Sequence, residues 1–94
     1  MLKFTWDEQK EAANRQKHGV SFAEARTVFY DEHARLIADP DSSDDEDRFI
    51  LLGYSEQPRL LVCHCYREND SVIRIISARK ATRPEKNTYG RFRK

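Results

Sequence analysis

"VIRIISARKATRPEKNTY", residues 72–89, is the stretch that decides how this chain folds. Its first half has the period of a strand, with Val72, Arg74, Ile76 and Ala78 on one face and Ile73, Ile75 and Ser77 on the other. Arg79, Lys80 and Arg83 follow within five positions. Thr82 and Glu85 then stand at capping-box spacing and open a helix that runs toward Phe92, with Pro84 tolerable in the first turn. A buried strand therefore ends in a cluster of cations, which either solvates the strand end or grips an anion.

Upstream, the same period of two recurs. "RLLVCHCYR" (59–67) is an apolar strand, separated from the opening stretch by the tight turn "END" (68–70). "RFILLGYS" (48–55) precedes it across "EQP" (56–58), and "RLIADP" (35–40), closed by Pro40, precedes that across the acidic turn "DSSDDED" (41–47). Loops of three residues allow only antiparallel neighbours, so the expectation is a four-stranded antiparallel meander. The N-terminal third reads differently. Phe4 centres a short strand, and a helix follows that is capped by Asp7, or by a Thr5–Glu8 box, and stopped by Gly19. "SFAEARTVFY" (21–30) is a second helix, with Ser21 and Glu24 at capping-box spacing and Phe22, Ala25, Val28 and Phe29 as its apolar stripe. The class is α+β in one domain spanning 1–94. Two helices cover one sheet face and leave the other for the last helix and a ligand.

The net charge of +1 conceals a division. Residues 31–47 carry eight acids against Arg35, a net of −7, whereas residues 67–94 carry nine bases against three acids, a net of +6. A basic third of this kind can meet a polyanion. No apolar run approaches the ~20 residues of a membrane span and the first residues resemble no signal peptide, so a cytoplasmic protein without a membrane partner is expected. Two cysteines, Cys63 and Cys65, are too few for a disulfide framework.

Several chemistries fail on spacing. A calcium loop begun at Asp39 needs Gly sixth and Glu twelfth, where Asp44 and Ile50 stand. Cys63 and Cys65 share a strand face, but His64 points to the other, so "CHC" is not a zinc set and no metal or cofactor is expected. His64 shares its face with Leu60, Val62 and Tyr66 and is either a satisfied core histidine or a proton carrier at a cleft. No nucleophile elbow and no glycine-rich phosphate loop is present.

The basic cluster remains. It is rich in arginine, whose planar fork suits phosphate, and Tyr89 follows Lys86 by three residues and precedes Arg93 by four on the same helix. Arginine forks and an aromatic can hold an RNA backbone and stack a base, with Arg74, Lys80, Lys86 and Arg93 as the binding cations. A metal-free ribonuclease needs little more. The 2′-hydroxyl attacks its own phosphate, and the protein supplies a base, an acid and fixed positive charge. Arg79 and Arg83 suit the charge role, and Tyr89 or His64 the proton transfers. A nonenzymatic RNA- or DNA-binding module would use the same surface for affinity alone.

"FTWDEQK…N…KHGVSFAEA…VF", then "DEDRFILLG", "RLLV" and "RIISARKAT…E…Y", resembles the BrnT family of ribonuclease toxins over nearly the whole chain and in order. The resemblance implies a compact relative of the RelE-like toxin fold and an RNA-cleaving growth inhibitor. It also implies a BrnA-type antitoxin of ribbon-helix-helix character, with promoter DNA bound only through the complex. It marks Lys17 and His18 as RNA-binding residues at the end of the first helix, together with Arg79, Lys80, Thr82, Glu85 and Tyr89. An inactive relative that acts only in a regulatory complex stands as the alternative.

Overall fold

Local signals at the N-terminus form as written. The computed structural model describes residues 2–39, 47–55 and 59–92, with side chains as far as Asn87. Strand β1 (Lys3–Thr5) leads to helix α1 (Glu8–His18). Asp7 Oδ1 accepts from the Gln9 and Lys10 amides at 2.8 and 3.3 Å, and Gly19 closes the helix at φ 71°, a left-handed conformation open to glycine at no steric cost. Ser21 Oγ then accepts from the Glu24 amide at 3.0 Å and starts α2 (Phe22–Thr27). The second helix is shorter than expected. Thr27 Oγ1 donates back to the Glu24 carbonyl at 2.6 Å, and Val28–Tyr30 tighten into a 3₁₀ turn. Back-bonding and a β-branched pair both disfavour a further α-turn there.

The meander follows as β2 (Arg35–Ala38), β3 (Phe49–Tyr54), β4 (Arg59–Arg67) and β5 (Val72–Lys80), and α3 (Arg83–Phe92) ends the described chain. The expected Pro40 strand stop, most of the acidic turn and the "EQP" turn lie outside the described residues. The turn into β5 has three consecutive left-handed residues, Glu68, Asn69 and Asp70, at φ 52°, 58° and 68°. Arg67 pairs with Val72 across it, and the amide and hydroxyl of Ser71 both donate to the Glu68 carbonyl.

Two expectations need correction. The sheet has five strands in the order β1-β5-β4-β3-β2, and β1 runs parallel to β5, so it is mixed and not a purely antiparallel meander of four. Three residues carry too little pattern to show direction. Tertiary packing decides it, with the Phe4 ring seated edge-on against Phe29 at 5.3 Å. The strict alternation assigned to β5 also fails. Cys63 pairs with Ser77 but His64 pairs with Ile75, so Ile76 is an extra residue and the strand bulges. Ile75 and Ala78, which simple alternation put on opposite faces, both lie in the core beneath α1 and α2.

That core packs Val20, Phe22, Ala25 and Val28 onto Leu51, Leu60, Val62, Ile75 and Ala78. On the opposite face Leu52, Leu61 and Ala81 form a smaller cluster near the start of α3. Asn14 is the one polar residue that α1 buries. Its Nδ2 donates to the carbonyls of Val20 at 2.9 Å and Ala78 at 2.8 Å, and its Oδ1 accepts from the Ala78 amide at 3.1 Å. Among the described residues β1 pairs with β5 only as far as Arg74. The Asn14 amide therefore completes the strand edge at Ala78 as a neighbouring peptide would.

His64 is fully buried in the helix-facing layer. Its Nδ1 lies 3.1 Å from the Val62 carbonyl and its Nε2 3.2 Å from the Tyr66 hydroxyl, with the Phe29 ring edge-on at 4.8 Å. A carbonyl only accepts, so Nδ1 carries the proton and Nε2 accepts from Tyr66. Burial lowers its pKa, against the smaller opposing effect of the Val62 carbonyl.

Two outcomes follow from this packing. Asn14→Ala leaves buried backbone groups at Ala78 and Val20 unpaired and should destabilise the fold by about 2–4 kcal/mol in urea melts; a change under about 0.5 kcal/mol would mean that α1 does not depend on this contact. For His64, the unfolded imidazole takes a proton near 6.5 while the buried ring resists it, so the unfolded state binds more protons below that pH. Stability should fall as pH drops from about 7 to 5. His64→Phe should lose less over the same range, and equal losses would contradict the buried neutral ring.

Candidate active site

The pairing register lays side chains in cross-strand rows on the face away from α1 and α2. One row reads Arg79, Leu61, Leu52, Arg35 across β5, β4, β3 and β2, and the next reads Ser77, Cys63, Ile50, Ile37. The bulge sets the first row. Without Ile76 as an extra residue, Arg79 would share the face of Ile75 and point at the helices. With it, Arg79 turns onto the open face. Here a cleft of about 680 Å³ is lined by both rows, by Arg48 and Asp39 beside β2 and β3, by Lys17 and His18 at the end of α1, and by Glu85. Its permanent cations, Lys17, Arg35, Arg48 and Arg79, outnumber the carboxylates of Asp39 and Glu85.

Arg79 is fixed by the helix it precedes. Its Nη1 and Nη2 donate to Glu85 Oε1 and Oε2, both at 2.9 Å, and Nη1 also reaches the Lys80 carbonyl at 3.2 Å. The same Glu85 closes the capping box, with Oε1 accepting from the Thr82 amide at 2.7 Å while Thr82 Oγ1 accepts from the Glu85 amide at 3.4 Å. The Arg79 fork, helped by Thr82, holds the Glu85 carboxyl far below its usual range, at about 2, and the pairing raises the pKa of Arg79 in turn. Glu85 is thus an ionised clamp and a poor proton acceptor. Among the described residues, Arg79 keeps its Nε–H and second Nη2–H free of hydrogen bonds. That edge presents two parallel donors, and the side chain is 43% exposed. An arginine edge of this kind suits a phosphate.

The expected site residues divide. Arg79, Lys17 and His18 meet at the cleft. Arg83 and Lys86 are exposed on α3 without lining it, and Lys80, paired with Leu60, sits at the helix-facing side of the strand end. Arg74 is half-buried, paired with Cys65 and Thr5 away from the cleft. His64 is separated from Arg79 by the sheet itself, in the satisfied aromatic setting described above. The Tyr89 side chain and all of Arg93 lie outside the described residues. Arg35 and Arg48 went unassigned because they flank the acidic turn, where a local charge count hides them. Register was the missing signal: Arg48 precedes Ile50 and Leu52 by even steps, and Arg35 faces Leu52. Cys63 donates to Asp39 Oδ2 at 3.5 Å, and burial, with Asp39 second, pushes its thiol up to about 11, which leaves it neutral and unsuited as a nucleophile.

Comparison with known proteins gives the family. No curated protein matches the chain. Residues 6–85 match the family described as "Ribonuclease toxin, BrnT, of type II toxin-antitoxin system", a span that holds α1, the whole meander and both partners of the Arg79–Glu85 fork. Covering most of the 94 residues, the match shows that this chain belongs to the BrnT family of ribonuclease toxins.

Proposed function

We propose that the chain cleaves RNA without a metal, by attack of a 2′-hydroxyl on its adjacent phosphate, and that the cleft around Arg79 is where this happens. The observation that carries the reading is the arginine held by Glu85 with one donor edge turned into a cationic cleft, in a chain of a ribonuclease toxin family. The Nε/Nη2 edge of Arg79 would contact the non-bridging oxygens, where charge grows as the oxygen–phosphorus bond forms, and Lys17, which lines the same cleft, adds positive charge. Because Glu85 fixes the guanidinium beforehand, little reorganisation accompanies the reaction.

Proton transfer falls to a different histidine from the one expected. His18 is the imidazole that lines the cleft, and imidazole is the commonest general acid or base near neutral pH. Tyr89, four residues after Glu85 in α3, remains the proposed second proton group, and Arg83 a contact for RNA outside the cleft. No cofactor enters this scheme. In the same reading the fold is RelE-like, the protein works in the cytoplasm, and a BrnA-type ribbon-helix-helix antitoxin covers the cleft. Promoter DNA is then bound through the antitoxin. Blocking a cationic site is the simplest neutralisation, and such a complex should weaken with added salt.

Single-turnover cleavage of a defined RNA in EDTA tests the scheme. Arg79→Ala should slow cleavage by roughly 10²–10³. Glu85→Gln, which keeps the shape but loosens the fork, should lower kcat by up to about 10² with a smaller effect on KM. Wild-type rates in Arg79→Ala would reduce the cluster to a solvated strand end, and no product from wild type at high protein concentration would favour a binding module.

A further inference from the structure

β2 lies at the edge of the sheet, with β3 on one side and, among the described residues, no strand on the other. Protein edges are usually blunted by charge, proline or a bulge, because an open row of backbone groups invites another strand. This edge instead presents three apolar residues in succession, Leu36 at 49% and Ile37 at 42% exposure, then exposed Ala38. Its bonding phase is set by β3. Continuing the register by one step puts Asp39 opposite Arg48, whose carbonyl accepts from the Asp39 amide at 2.9 Å. The bonds to β3 therefore fall at residues 35, 37 and 39, and the amides and carbonyls of Leu36 and Ala38 turn outward.

We infer that β2 pairs with β2 of a second copy of this chain, antiparallel about a two-fold axis at Ile37. In that register Leu36 and Ala38 of one copy stand opposite Ala38 and Leu36 of the other. These are the residues with outward groups, so both pairs exchange backbone hydrogen bonds. The side chains of "RLIAD" (35–39) agree with the same register. Leu36 falls opposite the small Ala38, which is the neighbour of half-buried Phe49 in its row, and Ile37 meets its own copy across the axis. Arg35 falls opposite Asp39. Each of these two has an interaction within its own chain, so neither counts as a spare charge; the register needs only that opposite signs face one another and not like signs. Sliding the strands by two residues sets Ile37 opposite Arg35 or Asp39, and sliding by one turns the outward groups away from each other. The contact is isologous, as a two-fold pair requires. Ile37 also lines the cleft, so the two clefts would open side by side on the same face of the joined sheets. This pairing does not depend on RNA cleavage.

So short a strand makes a small interface, and the dimer should be concentration-dependent. Sedimentation equilibrium of the full chain from about 5 µM to 1 mM covers the range expected for a small contact. The mass should rise from 11.1 kDa toward twice that value. The Leu36 and Ala38 amides should become protected from solvent exchange over the same concentrations. Ile37→Lys, which sets two cations face to face at the axis, should raise the dimer Kd about tenfold or more. Ala38→Pro should do the same by removing an outward amide while leaving the bonds to β3 in place. Thermal melts check both variants, and Ile37→Lys, at an exposed position, carries the test if the proline unfolds the chain. A monomer at every concentration, or association unchanged in a folded variant, overturns the pairing. A monomer whose Leu36 and Ala38 amides are protected only in complex with its antitoxin also overturns it, and gives the edge to that partner.

Discussion

Asn14 gives both ends of its side-chain amide to the backbone of Ala78, and the position of the candidate site residues depends on that contact. The preceding Ile76 bulge shifts β5 by one residue, which breaks regular alternation and increases local twist. A strand disturbed in this way, and no longer flanked by β1, would fray from an open edge. Asn14 closes the edge from α1, and its third bond, to Val20, ties in the turn toward α2. Ala78 is thereby held in the core under the helices, and the next residue, Arg79, must emerge on the other side. The same clamp brings the end of α1, with Lys17 and His18, to the margin of the cleft.

What emerges is then fixed a second time. Glu85 both caps α3 and grips Arg79, so the helix start and the orientation of the guanidinium share one carboxylate. A buried arginine fork facing a phosphate alone would have to be ordered by its ligand. Here the ordering precedes binding, and the pairing with Glu85 tempers the charge while leaving a directed donor edge. Lys17, Arg35 and Arg48 line the same cleft, so its cations come from α1, β2 and the start of β3 as well as from the strand end read from residues 79–83.

Elements with local signals were legible: the Asp7 and Ser21 caps, the Gly19 stop, the Thr82–Glu85 box and the antiparallel meander all form where spacing put them. What sequence periodicity could not show was the bulge, because an inserted residue in "VIRIISAR" leaves a run of hydrophobic and polar residues that still looks alternating. The direction of β1 was equally hidden, being set by the Phe4–Phe29 contact across the chain. The site suffered from the same limits. Arg79 was legible as an arginine at a strand end, but not that it faces the cleft only because of Ile76. His64 drew attention through its face, yet that face belongs to the core, whereas His18 reaches the cleft through tertiary docking of α1.

The central claim is that Arg79 is held by Glu85 through one edge and offers the other, Nε–H and Nη2–H, to an RNA phosphate. Heteronuclear NMR of the arginine side-chain Nε–H groups tests it most directly, with the Glu85 carboxyl carbon followed in the same titration by an uncleavable single strand. The account predicts that the Arg79 Nε–H resonance shifts and gains protection from solvent exchange while the Glu85 carboxylate signal stays in place. An Arg79 Nε–H untouched by bound RNA, or a Glu85 signal that reports loss of the pair on binding, would contradict it.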